Sequence, residues 1–360
     1  MTSNGRMAET EAGFYMFRNG YLFYADKTDL SNWVLVCNRP ECAHERTSCP
    51  GYINNFWMTE DSIYYLTDVL DGERLERDAL VRMSPDGSSR EIVHSAPDMN
   101  TTGTAWSGEV VADTFYNCLA RLQEDGTLDC NVVRVDSSGA EVLFSSNYPE
   151  VENQLATFAR PMAISYSIRG DMTIMSGIPL DGTTEENKDG WDKRPFNRYY
   201  QINGDSIRAL NLSDSCSLYG SYISGDALYH YHVNDGFYLM DLATGEEAKI
   251  ADAAYENAFG HCIDGQLMIE CTMSVPGTAS NAETLQMRYF DGTEWHEVAL
   301  PETWDMTHMF RMFACASDRI FFTVIEDYSL RDQQEQLGYI MLGEDTLTIC
   351  DQYAHYFSPN

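Results

Sequence analysis

Apolar and polar positions along this chain alternate in short runs that return seven times in one order. A turn residue or two leads into an aromatic-rich run, a variable gap follows, and two further runs are joined by a tight turn. The leading run spans 20–26 (GYLFYAD), 61–68 (DSIYYLTD), 108–115 (GEVVADTF), 170–177 (GDMTIMSG), 225–232 (GDALYHYH), 264–271 (DGQLMIEC) and 317–324 (SDRIFFTV). Period-two alternation of this length predicts strands, and apolar residues rarely recur at the three-four spacing of a helix. The second half of each unit reads as a hairpin, with turns at Asp86-Gly87, Ser138-Gly139, Asn203-Gly204, Thr244-Gly245, Asp291-Gly292 and Gly343. Such residues supply the positive φ that tight hairpin turns need. A further strand ahead of each leading run, as at 158–168 and 217–223, completes four per unit. A multi-stranded repeat of roughly 40–50 residues cannot bury its own apolar face and must stack on its neighbours. The pattern predicts an all-β chain: a seven-bladed β-propeller of four-stranded blades, with six the alternative count.

The expected organisation is a disordered segment at 1–12 and one propeller domain at 13–360, with a Cys/His-rich module at 37–52. The first unit shows no outer strand after Cys37. The cysteine loop, or Tyr353–Phe357, is expected to take its place. Of the 360 residues 44% are hydrophobic, an ordinary value for a globular chain, and no run approaches the roughly 18 apolar residues of a membrane span. Charge changes the picture more. With 23 basic against 56 acidic residues the net charge is -33, and the basic residues are scattered singly. A phosphate backbone or anionic leaflet would be repelled, so nucleic acid is excluded as a partner, and the acid is read first as a solvating shell.

The sharpest chemical signal is Cys37-Asn-Arg-Pro-Glu-Cys42-Ala-His44-Glu-Arg-Thr-Ser-Cys49-Pro50. Three thiols and an imidazole in a turn-rich stretch can fold back onto one tetrahedral ion, and soft ligands suit zinc in a structural role. The spacing is not that of a common zinc knuckle or ribbon, so a disulfide between two of the cysteines stays open beside the metal. A single disulfide leaves the third cysteine and His44 without a role.

The cluster Cys37 to Cys49 followed by Tyr52, ahead of the Tyr64-Tyr65-Leu66-Thr67-Asp68 unit, resembles a large group of exported β-propeller proteins of unknown function from Gram-positive gut-type bacteria. Many of that group look like lipoproteins. Tyr64 to Asp68 is also similar to the YWTD repeats of low-density-lipoprotein-receptor propellers, and Asp86-Gly87 to TolB-type repeats. The resemblance covers nearly the whole chain and implies a propeller fold and export to the cell surface. It implies no catalytic residue. Residues 1–12 (MTSNGRMAETEA) carry neither the apolar core of a secretory signal nor a lipid-attachment cysteine, so a cytoplasmic location is the alternative.

Other candidates are weaker. His230 and His232 stand two apart on a strand and share a face, a geometry that can bind metal, but the sequence shows no third ligand nearby. Glu185 to Gly190 resembles the first half of a calcium loop, yet Phe196 stands where the bidentate Glu is needed. Asp291 to Trp295 is one residue short of a sialidase Asp-box, and Trp295 is expected to pack between blades. Cys118 and Cys130 are placed to pair across a hairpin, and Cys262, Cys271, Cys315 and Cys350 read as strand thiols. Esterase, metalloprotease and phosphate-loop signatures are missing.

Turns between first and second strands and between third and fourth strands read as short, including Arg18-Asn19-Gly20. The second-to-third connections read as long: 68–78, 118–129, 178–195, 272–283 and 325–336. Long loops on one face of a rigid scaffold are where recognition concentrates. Trp191, with Asp181, Glu185 and Asp189 on the longest loop, is the expected contact for a protein or glycan ligand, with anchoring of Trp191 onto its own disc the alternative. The function expected is a monomeric, non-catalytic binding or scaffold propeller at the bacterial cell surface. The alternative is a carbohydrate-active enzyme, a glycoside hydrolase or lyase, with carboxylates in a central funnel.

Overall fold

A computed structural model describes residues 7–18, 20–37, 41–42, 49, 51–53, 55–59, 61–71, 74–95, 109–111, 114–122, 128–148, 162–166, 171–176, 198–203, 206–210, 216–224, 226–256, 258–263, 265–272, 285–304, 308–325 and 335–350. Among these residues every extended regular element is a β-strand, and no helix is long and apolar enough to cross a membrane.

The strands form seven separate four-stranded sheets, each a meander in which sequence neighbours are hydrogen-bonded neighbours. The first comprises β1 (Met7–Glu9), β2 (Gly13–Arg18), β3 (Tyr21–Asp26) and β4 (Asp29–Leu35), and the second β5 (Asn55–Met58), β6 (Ile63–Asp71), β7 (Arg74–Met83) and β8 (Arg90–Ser95). The third holds β9 (Glu109–Val111), β10 (Thr114–Leu122), β11 (Leu128–Asp136) and β12 (Gly139–Tyr148), and the fourth β13 (Met162–Tyr166), β14 (Asp171–Ser176), β15 (Arg198–Asn203) and β16 (Ser206–Leu210). The fifth holds β17 (Cys216–Ser224), β18 (Ala227–His232), β19 (Gly236–Asp241) and β20 (Glu247–Asp252). β21 (Ala258–Cys262), β22 (Met268–Thr272), β23 (Met287–Phe290) and β24 (Trp295–Glu297) make the sixth. The seventh comprises β25 (Met309–Cys315), β26 (Arg319–Ile325), β27 (Glu335–Met341) and β28 (Leu347–Ile349).

The turn chemistry explains why the chain reverses where it does. Gly87 and Gly292 adopt φ of 71° and 98°, a region that a side chain disfavours. The preceding aspartates organise the same turns. Asp86 Oδ1 accepts the Ser88 N–H at 3.0 Å, and Asp291 Oδ1 accepts those of Thr293 and Glu294 at 2.8 and 3.0 Å.

Five expectations are corrected. The first sheet has four strands of its own within residues 7–35, so neither the cysteine loop nor Tyr353–Phe357 is needed to complete it. Met7–Glu9 lies in a strand, not in a disordered segment 1–12, because Met7 and Ala8 are buried. GYLFYAD consequently fills the third place of its sheet, β2 fills the second, and Arg18-Asn19-Gly20 joins second to third. The long connections at 68–78 and 118–129 are mostly strand: β6 and β7 pair as far as Asp71 with Arg74, and β10 and β11 as far as Leu122 with Leu128. The register also sets Cys130 opposite Ala120 and Cys118 opposite Val132, which denies the two cysteines the direct opposition of a cross-strand bridge.

The chain divides into two compact units, residues 3–24 with 34–212 and residues 25–33 with 213–360. In the first, Leu22, Ile53, Phe56, Ile63 and Tyr65 share one core cluster, and Trp57, Tyr64, Phe115 and Val135 another. In the second, Ile269, Tyr289, Phe322, Val324 and Ile340 pack together. β22 and β26 are buried on both faces, so their polar positions, Glu270 and Thr272 in β22 and Arg319 and Thr323 in β26, are buried as well. As expected, Trp295 packs between neighbouring sheets, 5.7 Å from Phe237 of β19 and 5.5 Å from Phe290 of β23.

Candidate metal centre

The segment after β4 is held by its backbone before its thiols enter the account. Leu22, the second residue of β3, serves both limbs of the loop: its carbonyl accepts the Val36 N–H at 2.8 Å and its own N–H donates to the Gly51 carbonyl at 3.0 Å. Ile53 N donates to the Gly20 carbonyl at 2.7 Å, and Tyr52 packs edge-on against Tyr21 with ring centroids 5.2 Å apart. Gly20 is required there. Its φ is 83°, and a β-carbon on it would stand 2.3 Å from the Tyr52 ring. Clamping 36 and 51 onto one strand residue sets Cys37 and Cys49 side by side.

The Sγ atoms of Cys37, Cys42 and Cys49 lie within 4.8 Å of one another. No disulfide joins any two of the three here. Tetrahedral thiolate coordination places sulfurs roughly 3.8 Å apart, a spacing this cluster reaches with small side-chain adjustment. Cys49 is buried and accepts the Gly51 N–H at 3.3 Å. Burial pushes its thiol up to about 12, the neighbouring thiols of Cys37 and Cys42 adding to the rise and the Gly51 N–H opposing it. A divalent cation reverses that balance by stabilising the thiolates, so the group can hold a metal ion. His44, the fourth expected ligand, lies outside the described residues, as do Trp191, Asp181, Glu185 and Asp189.

A second donor group escaped the sequence reading. His230 and His232 do share a face of β18, and the third ligand missing from the local sequence comes from β20: Glu247 Oε1 is 2.9 Å from His230 Nε2 and 3.4 Å from His232 Nε2. Burial drives His230 down to about 3, with His232 adding, so its ring is neutral at physiological pH. The signal was present in the hairpin registers. His230 is opposite Tyr238, Tyr238 is opposite Lys249, and Glu247 lies two residues from Lys249 on the same face.

No protein-family model matches the chain, and no curated protein matches it. Solved structures do. The acylaminoacyl peptidase of Pyrococcus horikoshii is 12% identical with a TM-score of 0.54, over 95% of this chain and 52% of that one, so the chain spans about half the peptidase. An oligogalacturonate lyase in complex with manganese is 16% identical with a TM-score of 0.53, over 94% of this chain and 86% of that one. The β-propeller domain of the Trilobed protease from Pyrococcus furiosus aligns over 99% of this chain and 98% of that one at 10% identity, with a TM-score of 0.49. At these identities the likeness shows the fold class, an all-β chain of the β-propeller kind, and no activity.

Proposed function

We propose that the chain forms a single seven-bladed β-propeller acting as a binding or scaffold protein at the bacterial cell surface, with a structural zinc on its first blade. The seven four-stranded meanders supply the blades. Cys37, Cys42 and Cys49 hold the zinc with His44 as the fourth ligand. The observation that carries the reading is the convergence of three thiols on a loop whose two limbs are anchored to one strand residue. A closed four-ligand zinc site stiffens a loop and performs no chemistry of its own. Recognition then falls to the long segment 178–195, where Trp191, flanked by Asp181, Glu185 and Asp189, meets a protein or glycan.

A carbohydrate-active enzyme is the second reading. The fold likeness to an oligogalacturonate lyase in complex with manganese, over most of both chains, supports it. One pair of assays separates the two: a glycan array, and a hydrolase and lyase screen that includes oligogalacturonate, run on the same metal-replete sample. Binding without turnover, lost in Trp191→Ala, supports the scaffold. Turnover with unsaturated or hydrolysed products supports the enzyme.

A further inference from the structure

Sheet β17–β20 carries a donor set built from residues other than the cysteines. Both imidazoles are buried, with 0% exposure for His230 and 4% for His232. Tyr238 stacks on His232 with ring centroids 4.1 Å apart and interplanar angle 21°, which fixes the ring plane. Lys249 shares this face, but its ammonium is engaged by Asp235 at 2.5 Å and Asp252 at 2.9 Å, so the charge on Glu247 is left to the histidines. Glu247 also borders an open hollow of about 430 Å³ whose carboxylates Asp226, Asp241 and Glu246 add negative potential near the site.

Nε2 of His230, Nε2 of His232 and a carboxylate oxygen of Glu247 all lie within 4.8 Å of one another. Two imidazoles and one carboxylate suit first-row divalent ions, whereas magnesium and calcium favour oxygen throughout. We propose that His230, His232 and Glu247 bind a divalent transition-metal ion, zinc before manganese. Three protein ligands leave at least one coordination position to water at the Glu247 side, as in zinc sites that are not closed. The ion bridges the second and fourth strands of the sheet over Tyr238 of the third. None of this depends on the cysteine site.

The test removes the thiol site first. Cys37→Ser with Cys42→Ser in the full chain is titrated with zinc against a chromophoric chelator, and with cobalt. The expected result is one ion per chain, and cobalt spectra with visible bands but no thiolate charge transfer. X-ray absorption should show nitrogen and oxygen scatterers only, including imidazole. Glu247→Gln, a near-isosteric change at a partly exposed residue, should weaken binding on the order of 10–100-fold or more, and His232→Gln likewise. Absence of any ion in the double-serine chain overturns the proposal. So does affinity unchanged by Glu247→Gln, the outcome expected if both imidazoles only donate hydrogen bonds to that carboxylate. Should the serine variant misfold, the wild-type chain is loaded with two equivalents of cobalt. The second equivalent must then add nitrogen and oxygen scatterers, and a purely thiolate spectrum overturns the site.

Discussion

Arg288 and Glu270 form a buried ion pair in which Nε and Nη2 of the guanidinium lie 2.7 and 2.6 Å from the same carboxylate oxygen, Oε2. The carboxylate has 0% exposure and is saturated from other directions as well. Its oxygens accept the Tyr231 hydroxyl at 2.9 Å and the N–H groups of Ala254 and Tyr255 at 3.0 and 3.3 Å. Arg288 is in turn capped by Trp295, whose ring centroid is 3.9 Å from Cζ. Tyr231 belongs to β18 and Glu270 to β22, so the network fastens the fifth sheet to the sixth. Removing one partner strands a charge in the interior. Glu270→Leu and Arg288→Met should each cost about 3–5 kcal/mol, and the two together clearly less than the two single losses combined. Urea unfolding of the four proteins decides it, and strict additivity would remove the pair from the account.

Gly260 faces the same network from β21. A β-carbon there would fall 2.2 Å from the Tyr231 ring, too close for any relaxed arrangement. Gly260→Ala should destabilise by about 1–3 kcal/mol through overpacking. Tyr231→Ala removes the Cγ and Cδ atoms nearest that β-carbon and at the same time forfeits the bond to Glu270. Partial rescue is the expected result, read as a double variant that loses less stability than the sum of the two single losses.

Cysteine 42 tests the zinc loop. Structural zinc contributes on the order of 10 kcal/mol to local order, so Cys42→Ser should release the metal from this site and raise amide exchange over 36–53. Exchange in β22 and β26 should stay unchanged. Equal exchange with and without zinc would mean that the backbone anchors at Leu22 are sufficient by themselves.

The alkaline limb of stability should carry the mark of Cys271. Burial raises its thiol from the ordinary 9.0 to about 12, the adjacent Glu270 carboxylate adding to the rise. The unfolded thiol therefore ionises above pH 9 while the folded one keeps its proton. Stability is full below pH 9 and declines as pH rises toward 12, by up to about 1.4 kcal/mol per pH unit for this one group. Cys271→Ala should flatten that slope, measured by denaturant melts from pH 8 to 10.5. Native protein at pH 8 should also leave Cys271 unlabelled by iodoacetamide until it is unfolded.

The hairpin turns were readable because their chemistry is local: Asp86-Gly87 and Asp291-Gly292 need a positive φ and an aspartate acceptor, and the residues say so. β22 and β26 were readable as strands, but not as strands buried on both faces. β1 was not, since three residues reading Met-Ala-Glu in an acidic stretch carry no periodicity, and only packing of Met7 and Ala8 makes them a strand. The sequence reads GEVVADTF as one strand. It holds the whole of β9 and the start of β10, and no glycine or proline between the two marks a reversal. The cysteine group was legible because its ligands crowd into one loop. Glu247 was missed because its approach to His230 is set by two successive pairings and a bulge between Phe237 and Tyr238, which lie in register and not in composition.

Each sheet closes within one continuous stretch of chain, the first within residues 7–35 and the last within 309–349. Among the described residues no ladder takes a strand from elsewhere, so loop closure is a local cost that is met sheet by sheet. A chain leaving the ribosome can complete one ladder before the next is synthesised, and each new sheet meets an apolar face already in place. Arrested chains of increasing length should accordingly gain protease resistance in steps, one for each meander, and only the last step should need the whole sequence.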